Sequence, residues 1–214
     1  MDNKIKVKGW HNQGNGICPF KNGSCKVEPL KEKKDIEKIK QSLTERPRDL
    51  ALFTIGINSG LRVQNLLSLT YRDILTKDGH IKTSVSVCEG KNKKHREFII
   101  GKNTRRALDA LLPKNNGDLP KINLDDYIFT GRHGKKMSVQ RFNQIINKSC
   151  KEAGISGNFG GNTLRKTFAY FLLKRKADIH SLMKILGHQT PANTLKFAGM
   201  SKDNWNKTPL RLDI

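Results

Sequence analysis

NTLRKTFAYFLLKRKADIHSLMKILGHQTPANTLKF, residues 162–197, carries three helix signals in a row and one cation out of place. The first helix opens at Asn162 or Thr163 and runs to about residue 176, with Leu164, Phe168 and Phe171 on a face suited to a core. Arg165 sits one turn into that helix, among the apolar side chains. A second helix starts at Asp178 and reaches Leu186, where Gly187 supplies the stop. Thr190-Pro191 is a cap followed by proline at the first helical position, which predicts a third helix over 191–197.

Upstream, Ser138 caps a long helix over 139–153 that Gly154 stops, and another over 104–112 is closed by Pro113. Residues 126–129 form a short buried run before a loop over 131–136. Nearer the start, Ile36, Ile39 and Leu43 share one face of a helix over 35–43. Residues 48–57 are nearly all apolar and predict a buried helix, which ends at Asn58-Ser59-Gly60 with Gly60 free to adopt a left-handed cap. A short helix over 62–69 turns Leu66, Leu67 and Leu69 inward. Between these blocks the period changes. Residues 81–87 alternate at period two, and Glu97-Phe98-Ile99-Ile100 is a second run. With the basic stretch Gly90-Lys91-Asn92-Lys93-Lys94-His95-Arg96 between them they predict a β-hairpin, and residues 71–75 a third strand. The expected fold is mainly α with a small antiparallel three-stranded β-sheet, an α+β class. The expected layout is an N-terminal extension at 1–28, one domain at 29–200 and a C-terminal tail at 201–214.

The 214 residues hold 41 Lys and Arg against 19 Asp and Glu, a net charge of +22. That surplus repels itself and is relieved by a polyanion. The cations fall in short clusters along the whole chain, a distribution that suits a broad surface on nucleic-acid phosphates better than one amphipathic membrane helix. No apolar stretch is long enough to span a bilayer, and Met1-Asp2-Asn3-Lys4-Ile5-Lys6 has no apolar signal-peptide core, so a cytoplasmic protein with no membrane partner is expected. Four dispersed cysteines (18, 25, 88, 150) exclude a disulfide scaffold. Cys18 and Cys25 with His11 match no common zinc spacing, so no metal and no cofactor are expected.

Read together, four groups suit phosphate chemistry; taken singly, each reads as a surface charge or a capped helix end. Arg62 follows a helix stop, Lys91 sits at the entrance to a turn, Arg165 is embedded in a helix and His188 follows Gly187. Arginine forks match pairs of phosphate oxygens; lysine can protonate a leaving alkoxide, and histidine can hold an oxygen or move a proton.

Gly60-Leu61-Arg62-Val63-Gln64-Asn65-Leu66-Leu67-Ser68-Leu69 resembles the first arginine box of the tyrosine recombinases, the phage-integrase family. Asn162-Thr163-Leu164-Arg165-Lys166-Thr167-Phe168 resembles the second box, and Leu186-Gly187-His188-Gln189-Thr190-Pro191-Ala192-Asn193-Thr194 the histidine box. The basic hairpin resembles the one that bears the family's catalytic lysine. The order holds across about residues 29–200. The resemblance implies the family's catalytic-domain fold and a tyrosine that attacks the scissile phosphate, leaving a 3′-phosphotyrosine and a free 5′-hydroxyl without metal or ATP. It implies that Arg62 and Arg165 clamp the non-bridging oxygens, Lys91 protonates the leaving 5′-oxygen and His188 supports the phosphate.

Three positions depart from the pattern. The nucleophile is expected nine residues past His188, and position 197 is Phe, a ring without the attacking oxygen. Tyr71, Tyr127 and Tyr170 all precede His188, and an identical neighbouring subunit would also offer Phe197. Asn162 stands where histidine is usual; it can cap a helix or hydrogen-bond an oxygen but is no base near neutral pH. Asn65 stands where an acidic residue is common. A decayed recombinase and a deliberate Tyr→Phe replacement both account for Phe197, and both lead to a chain that binds DNA without cleaving it.

The expected function is thus a DNA-binding, integrase-like site-specific recombinase arrested at cleavage, or a non-catalytic sequence-specific DNA-binding regulator or accessory protein derived from an integrase. Expected partners are double-stranded DNA and further copies of the chain, as homodimer or homotetramer on DNA. Lys93, Lys94, Arg96, Lys135, Lys136, Arg141 and Lys166 are the candidate DNA contacts. The helix over 139–153 presents Gln140, Arg141, Asn143, Gln144 and Asn147 as base readers or as a solvated face. A structured-RNA binder would explain the charge but not the ordered boxes. In the tail, Trp205, Leu210, Leu212 and Ile214 alternate with polar residues and suit docking onto the chain itself or onto a neighbour.

Overall fold

A computed structural model describes residues 27–89, 94–112 and 122–206. The expectations for His11, Cys18, Cys25, Lys91, Lys93, Leu210, Leu212 and Ile214 lie outside the described residues.

α1 (Lys33–Ser42) and α2 (Pro47–Ser59) open the described chain. The short helices α3 (Val63–Leu67) and α4 (Tyr71–Ile74) follow, then strands β1 (Ser84–Glu89) and β2 (Lys94–Ile99), and α5 (Lys102–Leu111). A single 3-10 turn at Arg132–Gly134 precedes α6 (Val139–Glu152), α7 (Thr163–Lys174), α8 (Ile179–Leu186), α9 (Pro191–Ala198) and α10 (Lys202–Asn206). No helix among the described residues is long and apolar enough to cross a membrane.

The middle of α2, residues 51–56, is buried on every side and is correspondingly apolar apart from Thr54. Ala51, Leu52, Phe53 and Ile55 are at most 1% exposed, and the helix packs between α5 and α7. The main core gathers around it. A second, smaller cluster joins Ala169 and Leu173 of α7 to Leu182 and Leu186 of α8 and to Leu195 and Ala198 of α9. α7 therefore borders both: Leu164 faces the first cluster, Ala169 and Leu173 the second. Phe168, Phe197 and Trp205 pack at the edge of the smaller one. Trp205 of α10 is held there by Lys176, whose Nζ donates to its carbonyl at 2.7 Å, so the first turn of the tail docks on its own chain.

The cap signals act as the sequence suggests. Ser138 accepts from Arg141 N–H, Asp178 from His180 and Ser181 N–H, and Thr190 from Asn193 N–H. Asn162 occupies the N-cap of α7 but makes no side-chain cap bond; the Thr163 hydroxyl accepts the Gly160 N–H instead, at 3.0 Å.

β1 and β2 pair antiparallel, Ser84 opposite Ile99 through to Glu89 opposite Lys94, with Val85 and Phe98 on the buried face. The expected third strand is not formed. Residues Tyr71–Ile74 make the helical turn α4, because Asp73 Oδ2 accepts from both the N–H and the hydroxyl of Thr70, at 2.8 and 2.9 Å. The Tyr71 and Arg72 N–H groups go to the carbonyls of Asp126 and Leu124, which leaves only a single bridge, Leu75 to Ile81, next to the hairpin. The sheet among the described residues has two strands.

Candidate functional site

The site begins at a carbonyl. Gly60 closes α2 in the left-handed conformation (φ 61°), and a Cβ there would lie 2.3 Å from Cδ1 of Phe168. Only glycine meets both demands, so the last carbonyls of α2 come to rest against α7. Arg165, 4% exposed, donates Nη1 to Gly60 O at 2.5 Å and Nη2 to Leu186 O at 3.0 Å. One guanidinium thus joins the C-terminal ends of α2 and α8, where backbone dipoles place partial negative charge. Carbonyls hold a guanidinium in place without neutralising it, and these bonds answer the burial cost.

Arg96 reaches the same end of α2 from β2. It donates Nη1 to Gly60 O at 3.1 Å and Nη2 to Ser59 O. The sequence places Arg96 among the DNA contacts at the hairpin; in the fold its guanidinium spans from the sheet to the helix end.

Arg62 is the exposed N-cap of α3. Its Nη2 lies 3.3 Å from the point a Cβ on Gly187 would occupy, which sets it against the turn that carries His188. The His188 N–H donates to Met183 O at 3.0 Å, fixing the backbone of that turn. Nδ1 of His188 lies 3.0 Å from Thr194 Oγ1. The Thr194 hydroxyl is also 3.4 Å from Thr190 O; donation there makes it an acceptor for Nδ1–H, the tautomer that carries its lone pair on Nε2. Burial holds the imidazole pKa below its usual value, and the positive charges of Arg165 and then Arg62 lower it further. His188 is therefore within electrostatic reach of both guanidiniums, and its surroundings favour the neutral imidazole.

Phe197, half-buried on α9, meets His188 edge to face, centroids 5.0 Å apart at 73°. Lys166 Nζ lies 5.5 Å from the centroid of the same ring and donates to Val27 O at 2.9 Å. Lys166, expected to contact DNA, is turned onto its own chain.

The structure so brings together Arg62, Arg165, His188 and Phe197. Asn162 is exposed three residues before Arg165, and Asn65 is half-buried on α3 with Nδ2 buried and without a hydrogen-bond partner among the described residues. Sequence reasoning misses Thr194 as the group that orients the histidine, although it stands inside the histidine box.

A polar cleft of about 740 Å³ lies between Arg48 at the start of α2, the loop through Thr130 and Lys136, and the first turns of α6 with Gln140, Arg141 and Gln144. Lys135 and Arg141 are exposed; Lys136 Nζ donates to Ser68 Oγ at 3.2 Å. Ser68 caps the far end of α3, whose near end is Arg62, so α3 links cleft to cluster over about 9 Å at 1.5 Å per residue. Asn143 is not presented with the other polar side chains of α6; it is half-buried, with Oδ1 beside Gly160 and Gly161. Lys94 begins β2.

The model of the phage integrase family matches residues 29–202. A probable integrase/recombinase of Bacillus subtilis, YoeC, is 31% identical over 179 residues, covering 83% of this chain and 92% of that protein. The tyrosine recombinase XerD of Listeria monocytogenes is 33% identical over 174 residues, 78% of this chain and 57% of that protein. The chain spans about half the length of its XerD relatives, 50% in the case of Halalkalibacterium halodurans. Among solved structures, XerA recombinase matches with TM-score 0.65 and 22% identity over 84% of this chain and 64% of that one. The catalytic domain of bacteriophage HP1 integrase matches with TM-score 0.53 and 22% identity over 84% and 92%. With its boxes ordered along the chain at the end of α2 and start of α3, the start of α7, and the turn from α8 to α9, the protein belongs to the phage integrase family.

Proposed function

We propose that the chain binds duplex DNA and holds a scissile phosphate in a tyrosine-recombinase site stopped at the attack step. The observation that carries this reading is His188 packed against the ring at 197, with Arg62 beside the Gly187 turn and the charges of Arg165 and Arg62 acting on the imidazole. Arg165 is fixed by two helix ends, and Arg62 stands beside the Gly187 turn that follows one of them. Two guanidiniums so placed bind the non-bridging oxygens and stabilise the charge that builds on them in a pentacoordinate transition state. Neutral His188, with Nδ1–H on Thr194, has Nε2 to take the proton of an attacking hydroxyl. Lys91 would give a proton to the leaving 5′-oxygen. Phe197 has no hydroxyl to form the phosphotyrosine bond, so binding goes on and cleavage does not.

The cleft beside α6 extends the phosphate-binding surface, with Arg48, Lys136 and Arg141 as its cations and Lys135 beside it. Two or four copies would assemble on paired sites.

The test is a nicked duplex, which traps a covalent intermediate by releasing the short strand. The chain as it stands should yield no protein–DNA adduct, and Phe197→Tyr should yield one. An adduct from the unaltered chain refutes the assignment of position 197. Its absence from Phe197→Tyr, with DNA binding intact, points to Asn162 and Asn65 as further losses.

A further inference from the structure

We propose that Lys166 is a positioning residue that holds the ring at 197 and ties it to the chain segment entering at Val27; its use in catalysis rests on the function proposed above. Residues 27–31 cross α7 as a strap. Glu28 N–H donates to Asn158 O at 2.8 Å, and Leu30 N–H donates to Thr167 Oγ1 at 2.9 Å. Pro29 Cγ lies 3.3 Å from where a Cβ on Gly199 would be, at the end of α9, two residues past Phe197. Lys166 Nζ bonds the first carbonyl of this strap at 2.9 Å while standing 5.5 Å from the Phe197 centroid. One ammonium thus touches the incoming chain and the slot for the nucleophile.

A cation near an aromatic ring is drawn to the negative face of its quadrupole, so Lys166 favours one ring orientation, and the His188 ring packs against the same phenyl. If position 197 carries a hydroxyl, the same ammonium favours phenolate over phenol. The charged groups around the ring are Lys166 from α7 and His188 from the turn after α8, with Arg165 and Arg62 beyond His188 and Lys196 exposed on α9 itself. Lys31 of the strap sends its ammonium to Tyr170, 5.9 Å from that centroid.

The experiment uses Phe197→Tyr as background and follows the ultraviolet absorbance of phenolate, with the parent chain subtracted so that only residue 197 is read. Lys166→Met keeps the stem and drops the charge; Lys166→Arg keeps the charge. The phenol introduced at position 197 should ionise below the ordinary tyrosine value of about 10. Lys166→Met should raise the midpoint by about half a unit or more, as expected for one charge some 6 Å away in a wet site, and Lys166→Arg should not. Hydrogen exchange at residues 28 and 30 should quicken in Lys166→Met. An unmoved midpoint overturns the positioning of the ring, and unmoved exchange overturns the tie to the strap. Neither readout uses DNA. A shifted midpoint in a chain that binds no duplex DNA sinks the proposed function and leaves the role of Lys166 standing; an adduct with an unmoved midpoint does the reverse.

Discussion

Replacing Gly60 by Ala separates two costs that left-handed glycines usually mix. Gly60 caps α2 and Gly154 follows the Ala153 cap of α6, at similar positive φ, 61° and 69°. A Cβ on Gly154 meets nothing within 4 Å, whereas one on Gly60 would sit 2.3, 2.6 and 2.8 Å from three ring carbons of Phe168. Gly154→Ala should therefore cost only the conformational strain, about 1–2 kcal/mol. Gly60→Ala carries the same strain plus overpacking of about 1–3 kcal/mol, because the Phe168 ring is wedged against the smaller core cluster. The excess of Gly60→Ala over Gly154→Ala is then about 1–3 kcal/mol, or a midpoint lower by about 2–12 °C in a chain of this size. Paired urea and thermal denaturation of the two variants measures it. The same push displaces the carbonyl that receives Arg165 and Arg96, so Gly60→Ala should also weaken DNA binding while Gly154→Ala leaves it intact. Equal destabilisation by the two, or normal DNA affinity in Gly60→Ala, would refute the view that this carbonyl anchors the site.

Lowering of the His188 pKa in the folded chain means that its contribution to stability is fully present above the unfolded value of about 6.5 and is lost as pH falls through the lower folded value. His188→Gln should flatten that limb of a stability–pH curve, and a curve that stays unchanged counts against the burial and arginine field assigned to this imidazole. Arg141→Ala and Lys136→Ala should each reduce the steepness of log affinity against log salt by about one, since each removes one cation from the phosphates. A slope that does not change removes the cleft from the DNA surface. Cys150, whose thiol burial pushes up to about 12, should resist alkylation in the native chain while exposed Cys88 reacts, as peptide mapping would show.

Much of the fold is legible in the sequence because the signals are local. Caps at Ser138, Asp178 and Thr190, proline at 191 and glycines at 60 and 187 mark helix ends through bonds that span three or four residues. The arginine and histidine boxes stand out for the same reason: each sits at a helix end that the sequence announces. The strand expected at 71–75 fails on a competition that composition does not rank. Thr70 and Asp73 spend their polar atoms on one helical turn, and the neighbouring N–H groups find carbonyls more than fifty residues away. The own-chain bonds of Arg96 and Lys166 are hidden for another reason. A basic residue in a basic motif reads as a phosphate contact, yet the Arg96 acceptors lie 36 and 37 residues upstream and the Lys166 acceptor 139, distances no sequence window covers.

The absence of one oxygen at position 197 leaves the rest of the site standing, and the bonding explains why. Arg165 is held by Gly60 and Leu186 carbonyls, His188 by Thr194 and the Met183 carbonyl, and the ring by apolar packing, the imidazole edge and an ammonium. None of these contacts uses a tyrosine hydroxyl. The clamp is built on helix ends that the core requires in any case, so selection for a stable fold preserves it whether or not a strand is ever cut. Conversely, nothing in that scaffold protects the hydroxyl itself, which only chemistry on DNA would retain. Under the proposed function the groups that hold the phosphate and the group that attacks it are different residues, so the second can be absent without disturbing the first.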